Sequence, residues 1–222
     1  MDRIVEPELM SEREQAEAYA QADFEEPHGR VIEFFDSVFP GVAIKGHMLD
    51  LGCGPGDVTF RFAKRFPGIS IVAVDGSAAM IDLGNRRKGE EGEAGKAITF
   101  LTGFIPGVNI PRGTYNVIIS TSFLHHLHEP SVLWNTIGEH AVPGTRIFIY
   151  DLLRPGDRNT ARYLVEQYSG SEPEILKRDF YNSLLAAFEP QEIEQQLVCS
   201  GLAELSVEIV SDRHLIVYGE KS

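Results

Sequence analysis

The chain has 222 residues, a length that suits one domain with modest additions, and 43% of them are apolar, enough for a core. Its 33 acidic and 20 basic residues give a net charge of −13, so the surface repels nucleic-acid phosphates and anionic membranes. Two cysteines, Cys53 and Cys199, are too few for a disulfide framework. With no signal-peptide pattern and no apolar run of membrane-spanning length, we expect a cytoplasmic protein with neither a nucleic-acid nor a membrane partner.

The first 40 residues predict a helical cover. Ser11 and Glu14 have the spacing of a capping box, which predicts an acidic helix through Ala22. A second helix is predicted from Val31 to Phe39, where the apolar residues repeat with helical spacing.

The stretch from Met48 to Asp57 predicts a strand, a glycine turn and the start of a helix. A short apolar run is followed by glycines at alternate positions, Gly52, Gly54 and Gly56. Val58 to Phe66 then carries its apolar residues on one helical face. Glycines permit a positive φ and leave no Cβ where a ligand lies against the backbone, and the helix N-terminus offers free N–H groups. The alternative is a glycine-rich turn with no ligand.

Two phosphate-binding patterns do not fit this turn. In the dinucleotide fingerprint the third glycine would fall at position 57, where this chain has Asp57. A phosphate loop needs a lysine followed by serine or threonine after its last glycine, and the sequence has neither there. A carboxylate beside the turn also suits a pyrophosphate poorly.

Further strands follow the glycine turn, each with a β-branched or apolar run. They are predicted at Ile69–Val74, Ile98–Thr102, Tyr115–Ser120 and Thr145–Tyr150. Residues 86–96 are charged and glycine-rich and predict a surface loop. Asp75 ends the second strand about twenty residues beyond the glycines, where a carboxylate accepts hydrogen bonds from ribose hydroxyls. The alternative for Asp75 is a simple turn residue.

The pattern Asp50-x-Gly52-x-Gly54-x-Gly56 resembles motif I of the class I S-adenosylmethionine (SAM)-dependent methyltransferases. Asp75-Gly76-Ser77-Ala-Ala-Met80 resembles the next motif of that family, and Ser77 is also a plausible helix N-cap. The family's following Gly-Asp pair is replaced by Gly103-Phe104, which removes the expected hydrogen bond to the adenine amino group.

A run of histidines follows the fourth strand in Thr121-Ser-Phe-Leu-His-His-Leu-His-Glu-Pro130. It is similar to the family's segment at the pocket edge, where Ser120 would lie beside the methionine part of the cofactor. His125 or His126 is a candidate general base, since histidine titrates near neutral pH. The alternative is a structural contact. We expect no metal, because Glu129 is the one neighbour at ligand spacing.

The resemblance implies an α/β fold with a doubly wound, mostly parallel, seven-stranded Rossmann-like sheet that closes with an antiparallel C-terminal hairpin. One domain is expected over residues 1–222. Its parts are the N-terminal cover at 1–40, the cofactor-binding core at 45–153, a helical lid insertion at 154–190, and a C-terminal helix and hairpin at 191–222. The aromatic residues of the insertion are expected either to line an acceptor pocket or to form the insertion's own core; they are Tyr163, Tyr168, Phe180, Tyr181 and Phe188.

The resemblance also implies the cofactor, SAM, with S-adenosylhomocysteine as product. Beyond the glycines, Asp50 would orient the turn or reach the amino group of the methionine, Asp75 would hold the ribose, and Phe104 with Met80 would bracket the adenine. An N-terminal aromatic, with Tyr19 as the candidate, would cover the cofactor. The expected contacts are Tyr19, Asp50, Gly52, Gly54, Gly56, Asp75, Gly76, Ser77, Met80, Gly103, Phe104 and Ser120.

The function expected from these features is in-line methyl transfer to a small-molecule acceptor by a monomer or homodimer. Such a reaction needs chiefly position, orientation and exclusion of water, with any base as a secondary aid. Two alternatives stay open: a methyltransferase acting on protein or tRNA, and a SAM-binding protein without turnover.

Overall fold

A mixed seven-stranded sheet runs through the computed structural model, which describes residues 1–6, 25–41 and 43–222. The strands, in chain order, are β1 Gly46–Leu51, β2 Ile69–Asp75, β3 Ile98–Thr102, β4 Val117–Thr121, β5 Arg146–Leu152, β6 Ser206–Ile209 and β7 His214–Glu220. The α-helices are α1 Glu25–Val38, α2 Asp57–Arg65, α3 Ala78–Lys88, α4 Gly92–Lys96, α5 Ser131–His140, α6 Arg158–Ser169, α7 Glu174–Ala186 and α8 Pro190–Cys199. A 3₁₀ turn spans Leu124–His126.

The strand order is β3-β2-β1-β4-β5-β7-β6, and the five strands from β3 to β5 in this order are parallel. The last two strands pair antiparallel, β7 with β5 and β6 with β7. The fold class predicted from the sequence is therefore confirmed. β2 and β4 lie on opposite sides of β1, so the direction of the strand order reverses between β1 and β4. Open α/β sheets bind ligands at such a switch point, at the carboxyl ends of the strands.

Alternating side chains of the buried strands feed a core on each face of the sheet. Met48 packs on the face covered by α1 and α2, together with Phe35 and Phe62. Its neighbour Leu49 packs on the opposite face, together with Trp134 of α5. Near-continuous apolar strands are expected when helices cover both faces of a parallel sheet.

The insertion after β5 is helical, as predicted, and α6 and α7 pack on each other. Ala161, Leu164 and Leu184 form a small core between them, and Phe180 and Tyr181 lie against it. The other candidate aromatics differ: Tyr163 and Tyr168 are exposed and Phe188 is buried. None of the helices in the described residues has both the length and the apolar character needed to cross a bilayer.

One sequence prediction fails, because residues 86–96 are not a plain surface loop. Helix α3 continues to Lys88, and the five-residue α4 follows it. The preceding Glu91 forms ion pairs with Lys64 of α2, at 2.6 Å, and with Arg87 of α3, at 2.9 Å. The Lys64 contact comes from an element distant in the chain, the Arg87 contact is local, and together they hold the segment against α2 and α3.

Candidate active site

The glycine turn joins β1 to α2 at the carboxyl edge of the sheet. Gly52, Gly54 and Gly56 have φ values of 76°, 53° and 84°, in the left-handed region that favours glycine. The backbone N–H groups of Gly52 and Cys53 donate to the carbonyl oxygen of Val74, at 2.8 and 3.0 Å. These hydrogen bonds fix the turn against the end of β2.

The three glycines face different surroundings. A Cβ at Gly52 would lie 2.2 Å from Phe123, and one at Gly56 would lie 2.7 Å from Phe100. A Cβ at Gly54 would meet nothing within 4 Å among the described residues. Space in the direction of a side chain is therefore found beside Gly54, whereas at Gly52 and Gly56 aromatic rings fill that direction. The expected ligand contacts of the three glycines stay predictions.

Asp75 lies directly beside this turn. Its two carboxylate oxygens accept hydrogen bonds from the backbone N–H groups of Gly54, at 2.9 Å, and Ser77, at 2.8 Å. Burial raises the pKa of Asp75, although these two N–H groups oppose the change. A carboxylate has about four acceptor positions, so two of those of Asp75 have no partner among the described residues. Gly76 forms the bend between Asp75 and Ser77, whose hydroxyl caps α3 by accepting from the N–H of Met80 at 3.4 Å.

Asp50 is fully buried at the base of the turn. The Thr59 hydroxyl of α2 donates to its Oδ2 at 2.6 Å, whereas its Oδ1 has no hydrogen-bond partner among the described residues. Burial raises the pKa of Asp50 to about 7, with the charge of Asp75 adding to the rise and the Thr59 hydrogen bond opposing it. A buried polar atom without a partner calls for an explanation, and a ligand donor such as an ammonium group would supply one. The Thr59 hydrogen bond joins Asp50 to the start of α2.

The residues expected around the adenine differ in accessibility. Phe104 is 62% exposed and can offer its ring to a ligand, whereas Met80 is 4% exposed and offers little surface. The N–H of Gly103 donates to the Asp75 carbonyl oxygen at 2.9 Å, which places Phe104 near the carboxyl end of β2. Tyr19 lies outside the described residues.

Ser120 is buried, and its hydroxyl donates to the carbonyl oxygen of Leu51 at 2.7 Å. This hydrogen bond ties β4 to β1 at the switch point. A role in joining the two strands therefore accounts for the hydroxyl, and contact with a ligand is not needed to explain it.

Asp151 organises the turn that follows β4. Its Oδ2 accepts from the N–H groups of Phe123 and Leu124, both at 2.8 Å, and its Oδ1 lies 2.6 Å from His125 Nδ1. Burial opposes its ionisation, but the His125 charge and these hydrogen bonds outweigh burial and lower the pKa of Asp151. Ser122 has a φ of 50°, a strained value for a residue with a Cβ, and this bend places Phe123 over Gly52.

His125 and His126 both face Glu6 from the start of the chain. Glu6 Oε1 lies 3.8 Å from His125 Nε2 and 3.1 Å from His126 Nδ1. The His125 side chain is 3% exposed, so the geometry does not support its role as a base that touches an acceptor. His126 is 16% exposed, and burial and the neighbouring His125 charge lower its pKa, although Glu6 opposes this.

Sequence reasoning did not identify Asp151 or Glu6 as part of this site. Asp151 carried a usable signal, because it lies near the carboxyl end of a buried strand as Asp75 does. Glu6 carried none, since its proximity to His125 depends on the fold.

Comparisons with known proteins agree with this geometry. Residues 49–147 match the model of a methyltransferase domain family. An uncharacterized methyltransferase of Mycobacterium tuberculosis is 25% identical over 112 residues, 50% of this chain and 53% of the relative. A trans-aconitate 2-methyltransferase of the same species is 31% identical over 102 residues, 46% of this chain and 35% of the relative. The matched stretch thus spans about half or less of these relatives' length.

Solved structures resemble the chain over nearly its whole length. A SAM-dependent methyltransferase from Aquifex aeolicus is 16% identical with a TM-score of 0.65, covering 91% of this chain and 96% of its own. The plantazolicin methyltransferase BpumL, solved with S-adenosylhomocysteine, is 16% identical with a TM-score of 0.68, covering 95% and 92%. At such low identity these likenesses support the fold. Together with the family model over residues 49–147, they show that the chain contains a stretch similar to a methyltransferase domain and has the fold of the SAM-dependent methyltransferases.

Proposed function

We propose that this protein transfers a methyl group from SAM to a small-molecule acceptor. The observation that carries the proposal is the pairing of Gly54 with Asp75. Within the described residues, the turn is open beside Gly54, and the adjacent carboxylate has acceptor positions left that suit two ribose hydroxyls. Asp50 adds a buried oxygen without a partner among the described residues, which suits the cationic amino group of the cofactor's methionine.

The residues of the chain contribute chiefly position and exclusion of water. SAM supplies, when bound, a methyl group already activated by the positive sulfur, so the protein needs to hold the two reactants in line. Asp75 and Gly54 hold the ribose side, Asp50 holds the methionine side, and the exposed ring of Phe104 covers the adenine face. Phe123, which follows β4 in the chain, packs on Gly52 and covers that side of the glycine turn.

A small acceptor is favoured over a macromolecule. The net charge of −13 opposes binding of tRNA, and the paired helices α6 and α7 occupy the position of an insertion that covers the acceptor in this family. A relative named for trans-aconitate methylation is consistent with a small acceptor. Trans-aconitate itself is a poor candidate for the acceptor, because a polyanion is repelled by this acidic chain.

The proposal is tested first on the cofactor. Asp75→Ala should weaken SAM binding by about tenfold or more in isothermal titration, because it removes charge-assisted hydrogen bonds worth about 1.5–3 kcal/mol. Asp82→Ala, an exposed aspartate on α3, is the matched control and should bind SAM like the wild type. Equal affinity of the two variants would show that the ribose is held elsewhere.

Turnover needs a separate assay. Formation of S-adenosylhomocysteine should be followed across a panel of small acceptors bearing hydroxyl, carboxyl, amine and thiol groups, with a protein and a tRNA substrate included. Product with a small acceptor supports the proposal. Binding of SAM without product from any acceptor would instead indicate a binding protein without turnover.

A further inference from the structure

Three potential metal ligands converge next to the cofactor site. Glu6 Oε1, His125 Nε2 and His126 Nδ1 belong to a group whose ligand atoms all lie within 4.8 Å of one another. His126 also lies near enough to Asp75 for its charge to lower the pKa of that carboxylate. The cluster of Glu6, His125 and His126 therefore borders the region proposed to hold the ribose.

The orientation of His125 is that of a metal-ligating imidazole. Asp151 accepts from its Nδ1 at 2.6 Å, which fixes the proton on Nδ1 and directs Nε2 toward Glu6. Histidines that bind metals in proteins almost always donate their other ring nitrogen to a carboxylate, a carbonyl group or water. Asp151 is itself anchored by the N–H groups of Phe123, Leu124 and Leu152, so the ring has little freedom to turn.

The other two ligands are also held in place but incompletely satisfied. Glu6 Oε1 accepts from the Ser183 hydroxyl at 3.0 Å, and its side chain is 9% exposed. His126 Nδ1 is buried and, despite its 3.1 Å separation from Glu6, makes no well-formed hydrogen bond within the described residues. A ring nitrogen and a carboxylate oxygen this close, at an angle unsuited to a hydrogen bond, are arranged as two ligands around a shared ion would be.

The segment that carries Glu6 is itself fastened to the fold. Arg3 donates to the carbonyl oxygens of Ala186, His125 and Leu127, at 2.6, 2.9 and 2.8 Å, and its guanidinium packs on the Phe188 ring. These contacts of Arg3 hold the N-terminal segment in place, so the carboxylate of Glu6 lies against the two imidazoles.

We propose that Glu6, His125 and His126 bind a divalent transition-metal ion of the zinc class, with Asp151 supporting His125. Two imidazoles and one carboxylate are the ligand set of zinc sites that keep a fourth position open. Tetrahedral ligands of zinc lie roughly 3.3 Å apart, and the observed separations of 3.1 and 3.8 Å from Glu6 are close to this value, with all three ligand atoms within 4.8 Å of one another. The open position would take water or an acceptor oxygen, and this last role rests on the proposed function. The proposal departs from the sequence-based expectation of no metal, which considered near neighbours in the chain.

Metal binding is tested on the full chain after chelator treatment and dialysis against Zn²⁺ or Co²⁺. The wild type should retain about one ion per chain by mass spectrometry, and its Co²⁺ form should show the visible absorption of a tetrahedral site. Glu6→Gln and His126→Gln should each weaken Zn²⁺ binding by about tenfold or more, and Zn²⁺ should raise the melting temperature of the wild type but not of these variants. His47→Gln, which removes an exposed histidine, is the matched control and should bind Zn²⁺ normally.

The outcomes are separable from those of the cofactor test. A wild-type chain that retains no ion, or Glu6→Gln and His126→Gln variants that bind as tightly as His47→Gln, would overturn the metal site. SAM titration of the same metal-free samples reports on the cofactor site independently. If one variant does not fold, the other variant and the Co²⁺ spectrum of the wild type still decide whether the metal site exists.

Discussion

Three aspartates at the carboxyl edge of the sheet, Asp50 and Asp151 buried and Asp75 partly buried, have different environments. Asp151 is surrounded by N–H donors and an imidazole, which lower its pKa and keep it anionic as a structural anchor. Asp75 has two donors and is held with a raised pKa beside the glycine turn. Asp50 has one donor, and burial raises its pKa to about 7. The same type of side chain thus has a lowered pKa at one position and a raised pKa at the other two, according to its surroundings.

The pKa of Asp50 leads to a prediction about stability in the absence of cofactor. Because this pKa is raised from 3.8 to about 7, the folded chain holds the proton more tightly than the unfolded chain between these pH values. The contribution of Asp50 to the free energy of unfolding is therefore lost as the pH rises through this window. Relative to the wild type, Asp50→Asn should therefore gain about 1–3 kcal/mol of unfolding free energy between pH 5 and pH 8, and the gap should close only near the ordinary aspartate pKa.

Urea unfolding of the two cofactor-free proteins at both pH values measures this difference. Asp82→Asn, which changes an exposed aspartate, should differ from the wild type by the same small amount throughout. A constant gap between Asp50→Asn and the wild type would mean that Asp50 is ionised at both pH values.

At the scale of elements, Asp57 joins three helices at the first residue of α2. Its carboxylate lies 2.8 Å from His28 Nδ1 of α1, 2.8 Å from Arg61 Nε of α2 and 2.7 Å from Arg87 Nη1 of α3. Burial opposes the ionisation of Asp57, but these hydrogen bonds outweigh it and lower the pKa well below its ordinary value. The residue that breaks the dinucleotide fingerprint is thus a structural junction.

Asp57→Asn should lower the free energy of unfolding at pH 7 by about 1–3 kcal/mol, because charge-assisted hydrogen bonds are weakened. Since the lowered pKa stabilises the folded chain above the ordinary aspartate pKa, the gap from the wild type should shrink on acidification. Asp36→Asn, which breaks an exposed pair with Arg65, should cost under about 1 kcal/mol. Equal losses in the two variants, measured by urea unfolding, would refute the junction.

Elements defined by local signals were predictable from the sequence, and contacts between distant segments were not. The strands have β-branched runs, and the glycine turn and Asp75 lie at strand ends, so short stretches of sequence were enough to predict their positions. Helix α4 has five residues and two glycines and depends on Glu91 pairing with Lys64 and Arg87 from other elements. Glu6 meets His125 across 119 residues of chain, and Phe123 covers Gly52 through a strained bend at Ser122.

At the scale of the whole molecule, the charge of −13 creates a field that attracts cations. SAM carries a net positive charge near neutral pH, whereas S-adenosylhomocysteine has lost the sulfonium charge. The field should therefore favour uptake of the substrate over retention of the product. The buried carboxylate of Asp50 is shielded from salt and the partly buried carboxylate of Asp75 less so, but exposed acidic residues are screened within about 10 Å at 0.1 M salt.

Raising the salt concentration from about 0.01 to 0.5 M should weaken SAM binding by roughly threefold to tenfold, because screening removes the attraction of the surface. S-adenosylhomocysteine is the matched control, since it makes nearly the same contacts without the charge, and its affinity should change by less than about twofold. Isothermal titration of both ligands at both salt concentrations gives the ratio of their affinities. A ratio that stays constant would mean that the surface charge does not act on the cofactor, and that discrimination between substrate and product arises within the site.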